Sequence, residues 1–164
     1  MPKVVYPGSF DPISYGHIDL VRRGLNVFSE VTVAVARNEG KNPLFTTDER
    51  VEMVREVLKD TPNLKVDSYD GMTVDYVHSV GASMILRGIR TISDFEFEFQ
   101  MALTNSYFAD DIEMVFMMTS SKYAFLSSHF IKEAVTLGGD VSAFVPPLVE
   151  QRLKERLVDT SGGA

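Results

Sequence analysis

Five short apolar runs, rich in β-branched residues, recur along the chain: KVVYP at 3–7, VTVAVA at 31–36, LKVDSY at 64–69, MILRG at 84–88 and MVFMMT at 114–119. Several are apolar at consecutive positions, as strands buried on both faces must be. The segments between them carry apolar residues at helical spacing instead. HIDLVRRGLNVF predicts one helix, and FTTDERVEMVREVLKD predicts a second, opened by Thr46 and Glu49 at capping-box spacing. TVDYVHSVG predicts a third that stops at Gly81. Beyond the fifth run, a helix begins at Ser127 and Ser128, and PPLVEQRLKERL forms a C-terminal one.

Strand–helix alternation of this kind predicts an α/β fold, a single doubly wound domain over residues 1–158 with a five-stranded parallel sheet. The short TSGGA end, within 159–164, is expected to be a disordered tail. Ligands of such sheets bind beyond the C-terminal ends of the strands, where the strand order reverses.

One segment resists the simple alternation. SDFEFEFQMALTNSYF opens with aromatic and acidic residues in turn, as a strand would. At about 100° per residue, however, Phe95, Phe99, Ala102 and Leu103 share one side of a helix and Phe97, Met101 and Phe108 the opposite side. A helix on a sheet needs one apolar side. The second must be covered, either by the C-terminal helix or by another subunit.

Composition narrows the function. The 164 residues are 45% hydrophobic, enough for one substantial core. A formal charge of −7, from 16 Lys+Arg against 23 Asp+Glu, disfavours nucleic acid as a partner. With no cysteine there is no disulfide framework and no thiolate metal site. No apolar run reaches the roughly 20 residues that span a bilayer, so the expectation is a soluble cytoplasmic protein with no membrane partner.

Candidate chemistry collects at the strand ends. YPGSFDPISYGH leaves the first strand: Gly8 allows close backbone approach, Ser9 offers a hydroxyl, and Gly16-His17 falls at a helix start, whose free N–H groups attract phosphate. Lys41 follows the second strand, Arg87 and Arg90 follow the fourth, and Ser127 and Ser128 follow the fifth. Each has an ordinary use as well. The arginines serve as solvated charges, Lys41 as a loop-tip lysine, the serines as a helix cap, and His17 as a surface histidine in a capping loop. Their convergence at four strand ends in an acidic chain points to a pocket for a polyanion. His78, inside a helical pattern, reads as a surface residue. Met114, Met117 and Met118 read as core filling, and Asp11 and Asp19 as turn and first-turn residues. No His/Asp/Glu cluster has metal-ligand spacing.

Taken in order, YPGSFDPISYGH, Lys41, LRGIR, DFEFEFQ and YAFLSSH resemble the phosphopantetheine adenylyltransferases, a Rossmann-like nucleotidyltransferase family of coenzyme A biosynthesis marked by an [HT]-x-G-H motif. The likeness runs from Val4 to about Leu157. It implies transfer of an adenylyl group from ATP to 4′-phosphopantetheine, giving dephospho-coenzyme A and pyrophosphate. It also implies Mg²⁺ carried mainly on the ATP phosphates, coenzyme A as a further ligand, and a homohexamer built as a dimer of trimers. Carried over by position, it places His17 at the α-phosphate, with Ser9 and Lys41 holding the attacking phosphate and Arg87 binding it. Arg90, Glu98, Ser127 and Ser128 fall at the β- and γ-phosphates. The backbone at Gly88 and Ile89 and the segment Tyr123, Ala124, Phe125, Leu126 lie nearer the nucleoside, Phe10 and His129 complete the ATP site, and Thr73 lines the pantetheine arm. His17, Lys41 and Arg90 form the catalytic set.

Two positions depart from the family pattern. Ser14 stands where Thr or His is usual and keeps a hydroxyl; His129 stands where a third serine is usual. Other acceptors within the superfamily, such as nicotinamide mononucleotide or glycerol phosphate, and a nucleotide-binding regulatory module without turnover are the alternative functions.

Overall fold

Each apolar run becomes a strand within one residue of the bounds its pattern predicts. A computed structural model describes residues 1–37 and 42–158. In it, β1 (Lys3–Gly8), β2 (Glu30–Ala36), β3 (Leu64–Tyr69), β4 (Met84–Ile89) and β5 (Glu113–Met118) form one parallel sheet in the order β3-β2-β1-β4-β5. The chain winds outward from β1 to β3, then returns to the other side of β1 for β4 and β5. The strand order therefore reverses between β1 and β4. The predicted tail, 159–164, lies outside the described residues, as does Lys41.

The central strands are buried on both faces. Along β1, Val4 and Tyr6 enter the larger core and Val5 the smaller, the period of two that a pleated strand imposes. The larger core packs α1 (Tyr15–Gly24), α2 (Thr47–Val57), α5 (Ser128–Thr136) and α6 (Pro147–Leu157) on one face; the smaller packs α3 (Thr73–Ser79) on the other. At the edge, β3 alternates, with Lys65 and Asp67 exposed between half-buried neighbours.

Several local expectations are corrected. The first helix starts earlier than predicted, at Tyr15, and stops at Gly24. The N–H of Phe28 bonds to Gly24 O there, turning the chain into β2 with the Phe28 ring buried. Asp19 consequently sits in the second turn of α1, where it accepts from Arg23 Nη1 and Ser120 Oγ. Asp11 does more than shape a turn: it is buried and accepts from the backbone N–H groups of Leu44 and Phe45 and from Lys132 Nζ. Met114 and Met117 pack against the cores, but Met118, at the end of an edge strand, is 66% exposed. His78 is exposed and pairs with Asp111 at 3.0 Å.

SDFEFEFQMALTNSYF is a helix, α4 (Ile92–Phe108), capped by Thr91, whose side chain accepts from the Asp94 N–H. The C-terminal helix does not cover it; α6 packs on α5 and α2. Only Glu98 of α4 is buried, while Phe95, Phe97, Phe99, Leu103 and Phe108 are all exposed.

Candidate active site

At the switch between β1 and β4, the chain leaves both strands over a cavity of about 320 Å³. Ser9 and Phe10 enter from β1, Arg87, Gly88 and Arg90 from β4, and His17 from the start of α1. Glu98 of α4 joins them, as do Tyr123, Leu126, Ser127 and Ser128 from the segment leading into α5. Residues scattered over most of the sequence thus meet at one end of the sheet.

Phe10 adopts the left-handed region, φ 49°, which a bulky residue rarely occupies and which costs roughly 1–3 kcal/mol. Its ring folds back between Tyr6, edge-on at 5.2 Å between centroids, and His17 at 4.9 Å. A Cβ on Gly8 would stand 3.1 Å from that ring, so the glycine makes room for it.

His17 is the third residue of α1. The Ser14 N–H donates to its Nδ1 at 3.0 Å, and Ser14 Oγ stands 3.2 Å from the same nitrogen. A backbone N–H can only donate, so Nδ1 is the acceptor and the neutral ring carries its proton on Nε2. Burial beside Tyr6 and Phe10 pushes the imidazole down to about 4, and the charges of Arg87 and Arg90 push the same way. At neutral pH it is an uncharged N–H donor at a helix N-terminus.

The two arginines are not loose charges. Arg87 Nη2 and Nε donate to the Glu98 carboxylate, the shortest contact being 2.6 Å, and Nη1 donates to Pro7 O at 2.7 Å. Burial alone would lower this guanidinium's pKa, but hydrogen bonds and charge from Glu98 outweigh it and hold the group above its ordinary value. Glu98, 6% exposed in its side chain, is spent on orienting Arg87. Arg90 donates from Nε and from its backbone N–H to Asp94, and from Nη1 to Leu126 O, tying β4 to the approach of α5. Ser127 caps α5 by accepting from the Phe130 N–H.

Other predicted residues lie off the cavity wall. Ile89 is buried at the end of β4; Ala124 and Phe125 belong to the connecting segment, with the Phe125 ring packed on Phe130 and Phe144. The His129 side chain is 90% exposed, 3.9 Å from Glu133. Thr73 opens α3 beyond β3 and shares a hydrogen bond with the Tyr69 hydroxyl. Conversely, Tyr6, Asp94, Phe97 and Thr119 line the cavity although sequence reasoning gave none of them a role there. Burial raises the Tyr6 pKa, so its hydroxyl stays protonated as a donor. Among the described residues, no three His, Asp or Glu side chains group as metal ligands. Both cavity carboxylates, Asp94 and Glu98, are engaged by arginines.

Residues 5–134 match the model of the cytidylyltransferase-like family. Phosphopantetheine adenylyltransferases from Geobacter metallireducens and Caldanaerobacter subterraneus subsp. tengcongensis are 52% and 51% identical to the chain, each over 95% of it and over 97% and 98% of their own lengths. The chain belongs to the phosphopantetheine adenylyltransferase family. Among solved structures, Plasmodium falciparum nicotinic acid mononucleotide adenylyltransferase complexed with NaAD superposes with a TM-score of 0.66 at 17% identity, covering 93% of this chain and 94% of that one. That likeness is one of fold. The cavity lies at the reversal of strand order, where doubly wound sheets bind their ligands.

Proposed function

We infer that the chain transfers the adenylyl group of ATP to the phosphate of 4′-phosphopantetheine, giving dephospho-coenzyme A and pyrophosphate. The observation that carries this reading is the neutral His17 N–H donor at the start of α1, facing the ends of β1 and β4 in a chain about half identical to phosphopantetheine adenylyltransferases over nearly its whole length. An acceptor phosphate oxygen forms a bond to the α-phosphorus while the bond from that phosphorus to the bridging oxygen breaks, and pyrophosphate leaves. The attacking phosphate is already largely ionised near neutral pH, with a second pKa of about 6. No covalent enzyme group is needed, only positioning and charge stabilisation.

His17 Nε2–H donates to a non-bridging oxygen of the α-phosphate. Ser9 and Lys41 hold the acceptor phosphate, and Arg87, aimed by Glu98, binds it. Arg90 and the Ser127-Ser128 start of α5 take the β- and γ-phosphates; Glu98 acts instead through Arg87 at the acceptor phosphate, because a carboxylate repels phosphate. The backbone at Gly88-Ile89 and the segment 123–126 flank the nucleoside, His129 serves through its backbone, and Thr73 lines the pantetheine arm. Mg²⁺ carried on the ATP phosphates would supply charge neutralisation. This fits a cavity whose two carboxylates are already engaged. The reaction is placed in the cytoplasm, with coenzyme A as a further ligand of the same cavity.

The exposed apolar residues of α4 support a homohexamer in which this helix lies at a subunit contact. Light scattering at micromolar concentration should give six times the 18.3 kDa chain mass, and Phe97→Asp should lower it. A monomer mass for the unaltered chain contradicts the proposal. The activity itself is tested with a panel of acceptors: pyrophosphate release should require phosphopantetheine. Release that requires nicotinamide mononucleotide instead would overturn the assignment and spare the fold.

A further inference from the structure

Arg50 is 1% exposed and is the only buried cation among the described residues, whereas the half-buried Arg87, Arg90 and Lys132 are paired with acids. Its guanidinium reaches from α2 to the loop after β1, the end of β2 and the segment leading into α2 itself. Nη1 donates to Ser9 O at 2.8 Å and to Ala36 O at 3.2 Å, Nε to Phe45 O at 3.1 Å and Nη2 to Thr47 Oγ1 at 3.2 Å. Every one of these acceptors is neutral. A buried full charge without a carboxylate is expensive to keep, and a neutral residue would fill the space at lower cost. What the guanidinium supplies is a planar fork that fixes several carbonyls in one geometry.

The residues it grips are those beside the cavity. Ser9 is held through its carbonyl by Arg50. Two residues later, the buried Asp11 carboxylate accepts from Leu44 N at 2.8 Å and Phe45 N at 2.9 Å, and from Lys132 Nζ at 3.1 Å. Phe45 is therefore clamped on both sides, its N–H by Asp11 and its carbonyl by Arg50. Between the two anchored residues stands Phe10, left-handed at φ 49°, with its ring against His17. Such a conformation persists only where its surroundings over-determine it.

We propose that Arg50 is a positioning residue for adenylyl transfer, which with Asp11 holds Ser9 and the strained Phe10 so that Ser9 faces the phosphates and the Phe10 ring braces His17. The proposal rests on the functional reading above. Its effect falls on the geometry of the transition state, hence on kcat, rather than on affinity for ATP.

The test compares purified Arg50→Lys, Arg50→Met and Asp11→Asn with the unaltered protein, measuring melting temperature, kcat and both KM values. Lysine keeps the charge without the fork; methionine keeps neither. Misplacing reacting groups by about 1 Å costs on the order of 100-fold. Folded Arg50→Met should accordingly lose roughly 100-fold in kcat, Arg50→Lys should be intermediate, and KM for ATP should change less than about threefold. A folded Arg50 variant with kcat within about twofold of the unaltered protein would overturn the proposal, as would a loss confined to KM. Should both Arg50 variants fail to fold, the isosteric Asp11→Asn decides on the same kcat criterion. If the unaltered protein turns over a different acceptor, the functional reading fails; the ratio of variant to unaltered kcat with that acceptor still judges Arg50.

Discussion

His17→Ala should lower kcat by about 100- to 1,000-fold, the usual cost of removing one donor aimed at developing transition-state charge. ATP binding should weaken far less, because the contact strengthens as the α-phosphorus becomes crowded. The hydrogen bond from the Ser14 N–H to Nδ1 fixes which ring nitrogen donates, so the effect belongs to a neutral imidazole. Its titration can be followed by NMR. The midpoint in the free protein should lie near 4 rather than near the ordinary 6.5, since burial and two arginines oppose protonation. The folded-state pKa is thus the lower one, and below about pH 6.5 the unfolded chain takes up a proton that the folded chain refuses. This contribution lowers stability as pH falls from about 6.5 toward 4, and adds no further loss below that. A midpoint near 6.5, or equal losses in ATP binding and turnover, would reduce His17 to a ground-state contact.

Glu98→Ala should be the most destabilising single change in the site. It strips Arg87 of its carboxylate and leaves a guanidinium, 23% exposed in its side chain, with Pro7 O as its remaining partner. Breaking one side of a buried pair costs about 3–5 kcal/mol, and the residual exposure of Arg87 places the expectation at the lower end, about 3 kcal/mol. For a domain of this length, that is a fall in melting temperature of roughly 6–12 °C. Calorimetry measures it, and KM for phosphopantetheine should rise as well, because Arg87 loses its aim. The double change Arg87→Met with Glu98→Met separates the two effects. An apolar pair can restore much of the stability, yet it removes the phosphate contact, so melting should recover while turnover does not. A Glu98→Ala protein as stable as the original would show that the pair contributes nothing net.

Local patterns carried the fold far. Strand candidates, the Thr46–Glu49 capping box and the stop at Gly81 all depend on residues within a few positions of each other, and all are present. Convergence at the ends of the first, fourth and fifth strands was legible because a parallel α/β sheet puts every such end on one side. Long-range partners were not legible. Arg87 reads as a solvated charge until α4 brings Glu98 against it, eleven positions later. Nothing local marks Arg50, because its carbonyl partner at Ser9 lies 41 positions earlier. Tyr6 and Thr119 were missed for a related reason: an isolated strand residue shows which neighbours it alternates with, not whether its side chain reaches a rim. In α4 the reverse held, since two apolar sides at helical spacing outweighed a strand-like alternation at its start.

Isotope exchange tests the central claim, direct transfer between two phosphates held in one cavity. Labelled pyrophosphate should enter ATP when phosphopantetheine and Mg²⁺ are both supplied, because the forward and reverse reactions then cycle through dephospho-coenzyme A. Without the acceptor there should be no exchange. Label entering ATP in the absence of phosphopantetheine would mean an adenylyl group held on the protein itself, and would contradict the account.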